Sequence, residues 1–145
     1  NQKVLGVLCR GTDYTSLKPK FHPIQPSAKQ LIQRIRELKE LYCIDKIFLV
    51  TEDENILEEF KCEFASEVLK FLDTKRFNGS EQEYLINTMN REKVNTKQQG
   101  IDYLAQILLL SKCNYFIGGR TSGSVGVALF TEGFEYEEYF DLGRY

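Results

Sequence analysis

Three short segments carry the residue types that could do chemistry. The first is Cys9-Arg10-Gly11-Thr12-Asp13, directly after the apolar run Lys3 to Cys9. A guanidinium fixed at the end of a buried strand can fork onto a diphosphate. Asp13 could orient Arg10 or act on a substrate; the plainer alternative is an Arg–Asp surface pair. The second is Thr51-Glu52-Asp53. Its acids fit the start of a helix, where the dipole favours negative charge, better than they fit a metal site. The third is Gly118-Gly119-Arg120-Thr121-Ser122-Gly123-Ser124. Glycines and hydroxyls at a strand-to-helix junction leave backbone N–H groups free to meet an anion. Arg120, Thr121, Ser122 and Ser124 add donors, and the plainer alternative is a capped tight turn. The segment is neither a Walker loop nor GxGxxG, which argues against an ATPase and a dinucleotide enzyme.

Composition narrows the classes further. The chain has 145 residues, 42% of them hydrophobic, which suits one compact domain spanning 1–145. A formal net charge of -2 gives no support to an electrostatic nucleic-acid binder. Cys9, Cys43, Cys62 and Cys113 form no CxxC pair, and His22 is the sole histidine, so no metal site is expected. Cys9 and Cys113 read as small core residues of a reducing, cytoplasmic compartment. No apolar run approaches a membrane span. The chain opens on Asn1, its sole methionine is Met89, and it enters a strand almost at once. The expectation is a domain cut from a longer protein.

The elements that must position these residues follow from periodicity. Lys3 to Cys9, Lys46 to Val50, Val68 to Leu72 and Tyr115 to Gly118 read as strands, with a last short strand at Glu138 to Asp141. Pro19, Pro23 and Pro26 make Arg10 to Pro26 an ordered loop without a long helix. Ser27 and Gln30 have capping-box spacing before Leu31, Ile35, Leu38 and Tyr42, which recur at helical period. A second helix carries Ile56, Leu57, Phe60 and Phe64. Asp73 to Asn95 is polar and reads as a mobile loop with a helical turn near Tyr84 to Met89. Lys97 to Ser111 is a helix whose apolar second half is expected to be well buried. Val125 to Phe130 is a short helix. Strands alternating with helices imply a doubly wound parallel sheet with helices on both faces, a Rossmann-like α/β fold. Ligands of such sheets bind at the carboxyl ends of the strands, where all three segments fall.

With those blocks in view, the chain resembles the α1,6-fucosyltransferase and O-fucosyltransferase-like families. Gly6-Val7-Leu8-Cys9-Arg10-Gly11-Thr12-Asp13 is similar to their first motif, Ile47 to Asp53 to their strand ending in Thr-Asp-Asp, and Leu110 to Gly118 to a Leu-Ser block that ends in glycine. Thr121-Ser122-Gly123-Ser124-Val125 falls where they have a serine-rich motif. His22-Pro23-Ile24-Gln25-Pro26 resembles a block from bacterial relatives of surface-polysaccharide clusters. The four blocks, in order, cover nearly the whole chain. Leu8 stands where the motif has His, Gly11 where it has a second Arg, and Gln106 where a helical Asp reaches the nucleoside. Asp102, one turn earlier, is a fallback for that contact.

The resemblance implies the donor half of a GT-B glycosyltransferase. It would use a nucleoside-diphosphate sugar, GDP-fucose first, with no cofactor and no metal, and transfer to a glycan acceptor such as a surface polysaccharide. Arg10 would hold the donor diphosphate, and Gly119, Arg120, Thr121, Ser122 and Ser124 would line its phosphates. Gln106 would meet the nucleoside. The base would be Asp13, His22 or a group outside these residues. The acceptor half would be an N-terminal domain of the same protein, so the domain alone would transfer nothing. The setting would be the cytoplasm or the inner face of a membrane. The alternative is a catalytically inert nucleotide- or sugar-binding module of the same fold. A receiver-like domain is disfavoured, because the first strand ends in Cys9-Arg10 and not in an acidic cluster.

Overall fold

The computed structural model describes residues 2–71, 74–78 and 83–145. Five strands are named in chain order: β1 (Val4–Leu8), β2 (Lys46–Val50), β3 (Val68–Leu69), β4 (Tyr115–Gly119) and β5 (Tyr136–Phe140). They form one sheet in the order β3-β2-β1-β4-β5, with every pairing parallel. The helices are α1 (Thr12–Ser16), α2 (Ala28–Tyr42), α3 (Glu54–Phe64), α4 (Leu85–Arg91), α5 (Thr96–Leu110) and α6 (Ser122–Phe130). This is a Rossmann-like α/β fold, doubly wound as the alternation of elements predicts. The strand order reverses beside β1, whose neighbours are β2 and β4.

Register explains how distant segments meet. Leu8 pairs with Val50 on one side and Gly118 on the other. One further ladder bond, Cys9 N–H to the Val50 carbonyl at 3.0 Å, carries β1 one residue on. Arg10, Thr51-Glu52 and Gly119-Arg120 therefore emerge along the same edge.

Side-chain alternation splits the core in two, because successive residues of a strand face opposite sides. Leu5, Val7 and Cys9 face α2 and α3, packing with Leu31, Ile35 and Phe60. Leu8, Val50 and Phe116 face the other way, onto Ile107 and Leu110 of α5 and Val127 of α6. Each fully buried aliphatic side chain contributes roughly 1.5–3 kcal/mol. Among the described residues no helix is long and apolar enough to cross a membrane.

Several local expectations hold. The Ser27–Gln30 capping box is formed in both directions, and Asp53 caps α3 by accepting from the Asn55 N–H at 2.9 Å. Others shift. The Arg10 to Pro26 loop contains the five-residue helix α1. Helix α6 begins at Ser122, three residues before the expected start, so the third segment is half helix. The last strand starts at Tyr136 and lies parallel to β4. Of the weak third strand, Val68 and Leu69 pair with β2, and Leu72 lies outside the described residues. The polar stretch 73–95 includes α4, and its buried Phe77 bonds to Glu52 and Glu54 backbone groups; 73 and 79–82 lie outside the described residues.

The second half of α5 is a correction. It was expected to be well buried, yet Leu104, Leu108 and Leu109 are exposed. A helix lying flat on a sheet presents one stripe to it, here Gln106, Ile107 and Leu110. An unbroken apolar run cannot all face the same way.

Candidate functional site

A cleft of about 270 Å³ opens at the carboxyl ends of β1 and β2, under α4 and α5. Val50, Leu85, Ile86 and Met89 supply apolar wall, and the polar lining includes Arg10, Glu52, Gln99, Tyr103 and Gln106 with three threonines. Gln106 is 2% exposed. Its Nε2 donates to the Thr74 hydroxyl at 3.2 Å and to the Asp102 carbonyl at 3.1 Å. A carbonyl only accepts, so the amide nitrogen is held on that side and Oε1 is turned away. That oxygen is buried and has no donor among the described residues. A buried acceptor left unmatched costs about 1–3 kcal/mol.

Arg10 is held from several sides. Its Nε lies 3.3 Å from Glu52 Oε1, its NH2 3.9 Å from Asp13 Oδ1, and its guanidinium 4.6 Å from the centre of the Tyr14 ring. Tyr103 lines the same cleft. Burial works against the charge, but Glu52, Tyr103, Tyr14 and Asp13 outweigh it, and the pKa is raised above the ordinary arginine value. Arg10 is a permanent cation at the cleft wall. On the neighbouring phenol burial dominates: the Tyr103 pKa is raised although Arg10 pulls it down.

Glu52 and Asp53 build the loop that presents Arg10. Glu52 Oε1 accepts from the Gly11 N–H at 2.8 Å and the Thr12 hydroxyl at 3.0 Å, and Asp53 Oδ2 from the Thr12 N–H at 3.2 Å. Thr12 is β-branched and sits at φ 45, a left-handed conformation that such residues avoid. These bonds hold that strain in place. Asp53 is thus a helix cap, while Glu52 is a loop anchor and not part of the cap. Among the described residues no group of three or more His, Cys, Asp or Glu could hold a metal.

The remaining residues singled out by sequence separate. Asp13 sits beside Arg10, and its carboxylate accepts from the Leu85 N–H at 3.2 Å, tying α1 to α4. His22 is exposed, and its ring lies 5.6 Å from that of Tyr14, tilted by 50°. Asp102 turns its carboxylate to Gln98 Nε2 at 2.8 Å and does not line the cleft. Arg120, Thr121 and Ser124 line another cleft of about 480 Å³, bounded by Val125, Leu129 and Tyr139. There Arg120 pairs with Asp141 at 2.8 Å. Thr121 and Ser124 cap α6 reciprocally, at 2.8 and 3.1 Å. Gly119 is sealed: a methyl there would overlap Gln25 and Pro26. The buried Gln25 donates to the carbonyls of Pro23 and Arg120, and the strap 21–24 is bonded to the tail 143–145. Ser122 lines a third cleft of about 200 Å³.

Tyr103 was not singled out by sequence reasoning, and Gln25 entered it only within the His22 to Pro26 block, with no role of its own. Tyr103 had a usable signal, since it stands three residues before Gln106 and shares its helix face. Gln25 had none, because its role comes from a contact 95 residues away.

No family model matches this chain, and neither does any curated protein sequence.

Proposed function

We propose that this chain is a nucleotide-sugar-binding domain, the donor half of a GT-B glycosyltransferase that transfers a sugar to a glycan. The observation that carries this reading is the pairing, in one cleft at the strand ends, of the part-buried cation Arg10 with the unmatched Gln106 carbonyl oxygen. Apolar walls beside them suit a flat base. In this reading Gln106 accepts a hydrogen bond from the nucleoside and Arg10 holds the diphosphate. As the leaving diphosphate gains charge during transfer, a fixed cation lowers the barrier. GDP-fucose is the proposed donor, on the resemblance of the Arg10, Thr51 and Ser111 blocks to fucosyltransferase-like enzymes.

A second reading, an inert binding module, also has an observation in its favour. Asp13 spends its carboxylate on Arg10 and the Leu85 N–H, so it is poorly placed as a free base. Calorimetry with guanosine, GDP, UDP and ADP tests the binding claim. Tighter binding of GDP than of UDP or ADP supports it, and equally weak binding of all three removes the donor assignment. Incubating the chain and its parent protein with labelled GDP-fucose and glycan acceptors separates the two readings: transfer by the parent alone fits the donor-half proposal, and transfer by neither favours the inert module.

A further inference from the structure

Helix α5 carries a glycine at its fifth residue, Gly100. After proline, glycine is the least favourable residue inside a helix, because it gives up the most backbone freedom. The fold does not ask for it here. The glycines of this chain with positive φ are Gly133 and Gly143, so Gly100 needs no left-handed backbone. A methyl placed on it would meet no other group within 4 Å among the described residues, whereas a methyl on Gly11, Gly119 or Gly123 would overlap a neighbour. Alanine would fit at 100 and would make a better helix.

What Gly100 does adjoin is open space. It lines the 270 Å³ cleft that Arg10, Ile86, Met89 and Gln106 also line, and it lines the neighbouring 200 Å³ cleft as well. With no side chain at 100, the backbone of α5 itself becomes cleft wall. Two further observations fall on the first cleft. Ile86 of α4 is 53% exposed there, an apolar side chain left uncovered. Gln106, further along α5, is buried, and its Oε1 has no donor among the described residues. A glycine that packing does not require, an uncovered isoleucine and an unmatched acceptor thus border one space. Glycine is the residue that lets a ligand come close to the backbone.

We propose that Gly100 is a ligand-contact position, at which a flat ring bound in the first cleft lies against the backbone of α5 and covers Ile86. Naming that ring a nucleobase rests on the nucleotide-binding reading; the contact itself does not. A side chain at 100 would take the place of the ring. Helix strength and binding are therefore opposed at this one residue, and what improves the helix weakens the ligand. That opposition separates a binding role from a structural one, because a glycine needed by the fold would lose stability on substitution.

The experiment compares the chain with Gly100→Ala and Gly100→Leu, by thermal unfolding and by calorimetry with guanosine and with indole, a flat probe that carries neither sugar nor phosphate. Gly100→Ala should raise the melting temperature by about 2–4 °C. It should weaken guanosine binding by about fivefold or more, and Gly100→Leu by more than about tenfold. Indole should follow the same order. Weakened guanosine binding in a more stable Gly100→Ala protein supports the contact whether or not indole binds. Equal guanosine affinity in the three proteins overturns the proposal and leaves the nucleotide reading standing. A lowered melting temperature in Gly100→Ala also overturns it, since the glycine would then serve the fold. So does a failure of the unsubstituted chain to bind either probe. Indole binding that weakens from Gly to Ala to Leu, with no guanosine binding by any of the three, supports the contact and removes the nucleotide reading; indole binding that does not weaken, again without guanosine binding, overturns both.

Discussion

The Gly11 N–H donates to Glu52 Oε1 at 2.8 Å, joining the loop after β1 to the loop after β2 across 41 residues of chain. The same oxygen takes the Thr12 hydroxyl and lies beside the Arg10 guanidinium. One carboxylate thus fixes the backbone and the cation that it presents. Glu52→Ala should lower stability by about 1–3 kcal/mol, because it strands a part-buried N–H and a part-buried cation together. Urea unfolding measures this. A change under 0.5 kcal/mol would mean that the loop holds itself.

Gly11 tests the same junction from the other side. A methyl there would overlap the Asp53 carboxylate and crowd Ile56, and neither can retreat, since Asp53 caps α3 and Ile56 is core. Gly11→Ala should cost about 1–3 kcal/mol, the usual range for overpacking. An unchanged melting curve would show that the two loops can part without loss.

For Arg10 the expected effect is on phosphate and not on nucleoside. Arg10→Ala should lose about 10- to 100-fold in GDP affinity, the equivalent of a charged hydrogen bond, and little in guanosine affinity. Arg10→Lys should also be impaired, because an ammonium cannot reproduce the fork. Equal losses for GDP and guanosine would assign Arg10 to the loop's integrity alone. EDTA should leave GDP binding unchanged, since Glu52 and Asp53 already spend oxygens on backbone donors.

Gln106 separates stability from binding. Its oxygen is buried without a donor, so an apolar side chain of similar size removes a desolvation penalty. Gln106→Leu should leave stability unchanged or raise it by about 1 kcal/mol while weakening guanosine and GDP alike. A clear loss of stability would mean that the bonds to Thr74 and Asp102 matter more than the unmatched oxygen.

Much of this was legible in the sequence for physical reasons. Apolar runs of strand length, set between helical periodicities, leave few arrangements, and the parallel sheet followed. Ser27 with Gln30, and Asp53 before α3, are caps whose partners lie within three residues, so spacing alone reveals them. Arg10 and Gln106 share a cleft, whereas Arg120, Thr121 and Ser124 line a different one. What sequence did not reveal depends on register between strands. Glu52 looked like a cap residue until β1 and β2 were aligned and its carboxylate came to lie under Gly11. Tyr103 lines two clefts because α5 packs beside α6, and no local pattern encodes that packing.

The thiols give the last prediction, through pH. Cys43 and Cys62 are exposed, while Cys9 is fully buried beneath the Arg10 loop. Burial first, and then the charges of Glu52, Asp53 and Glu59, raise the Cys9 pKa far above its ordinary value of 9.0. In the unfolded chain that thiol ionises near pH 9; in the folded chain it keeps its proton. The folded state then binds more protons than the unfolded one, so stability falls as pH rises. Its contribution is complete below about pH 9 and declines above it by about 1.4 kcal/mol per pH unit for a single group. Urea midpoints measured from pH 7 to 10.5 should therefore be flat and then descend. Cys9→Ala should be less stable at neutral pH, because it leaves a small cavity, but its descent above pH 9 should be shallower. Thiol labelling should modify Cys43 and Cys62 rapidly and Cys9 only on unfolding. Identical alkaline slopes in the two proteins would assign the loss to Cys113, pushed up to about 12 by burial, and to Tyr103, Tyr115, Tyr136 and Tyr139, each raised by burial first.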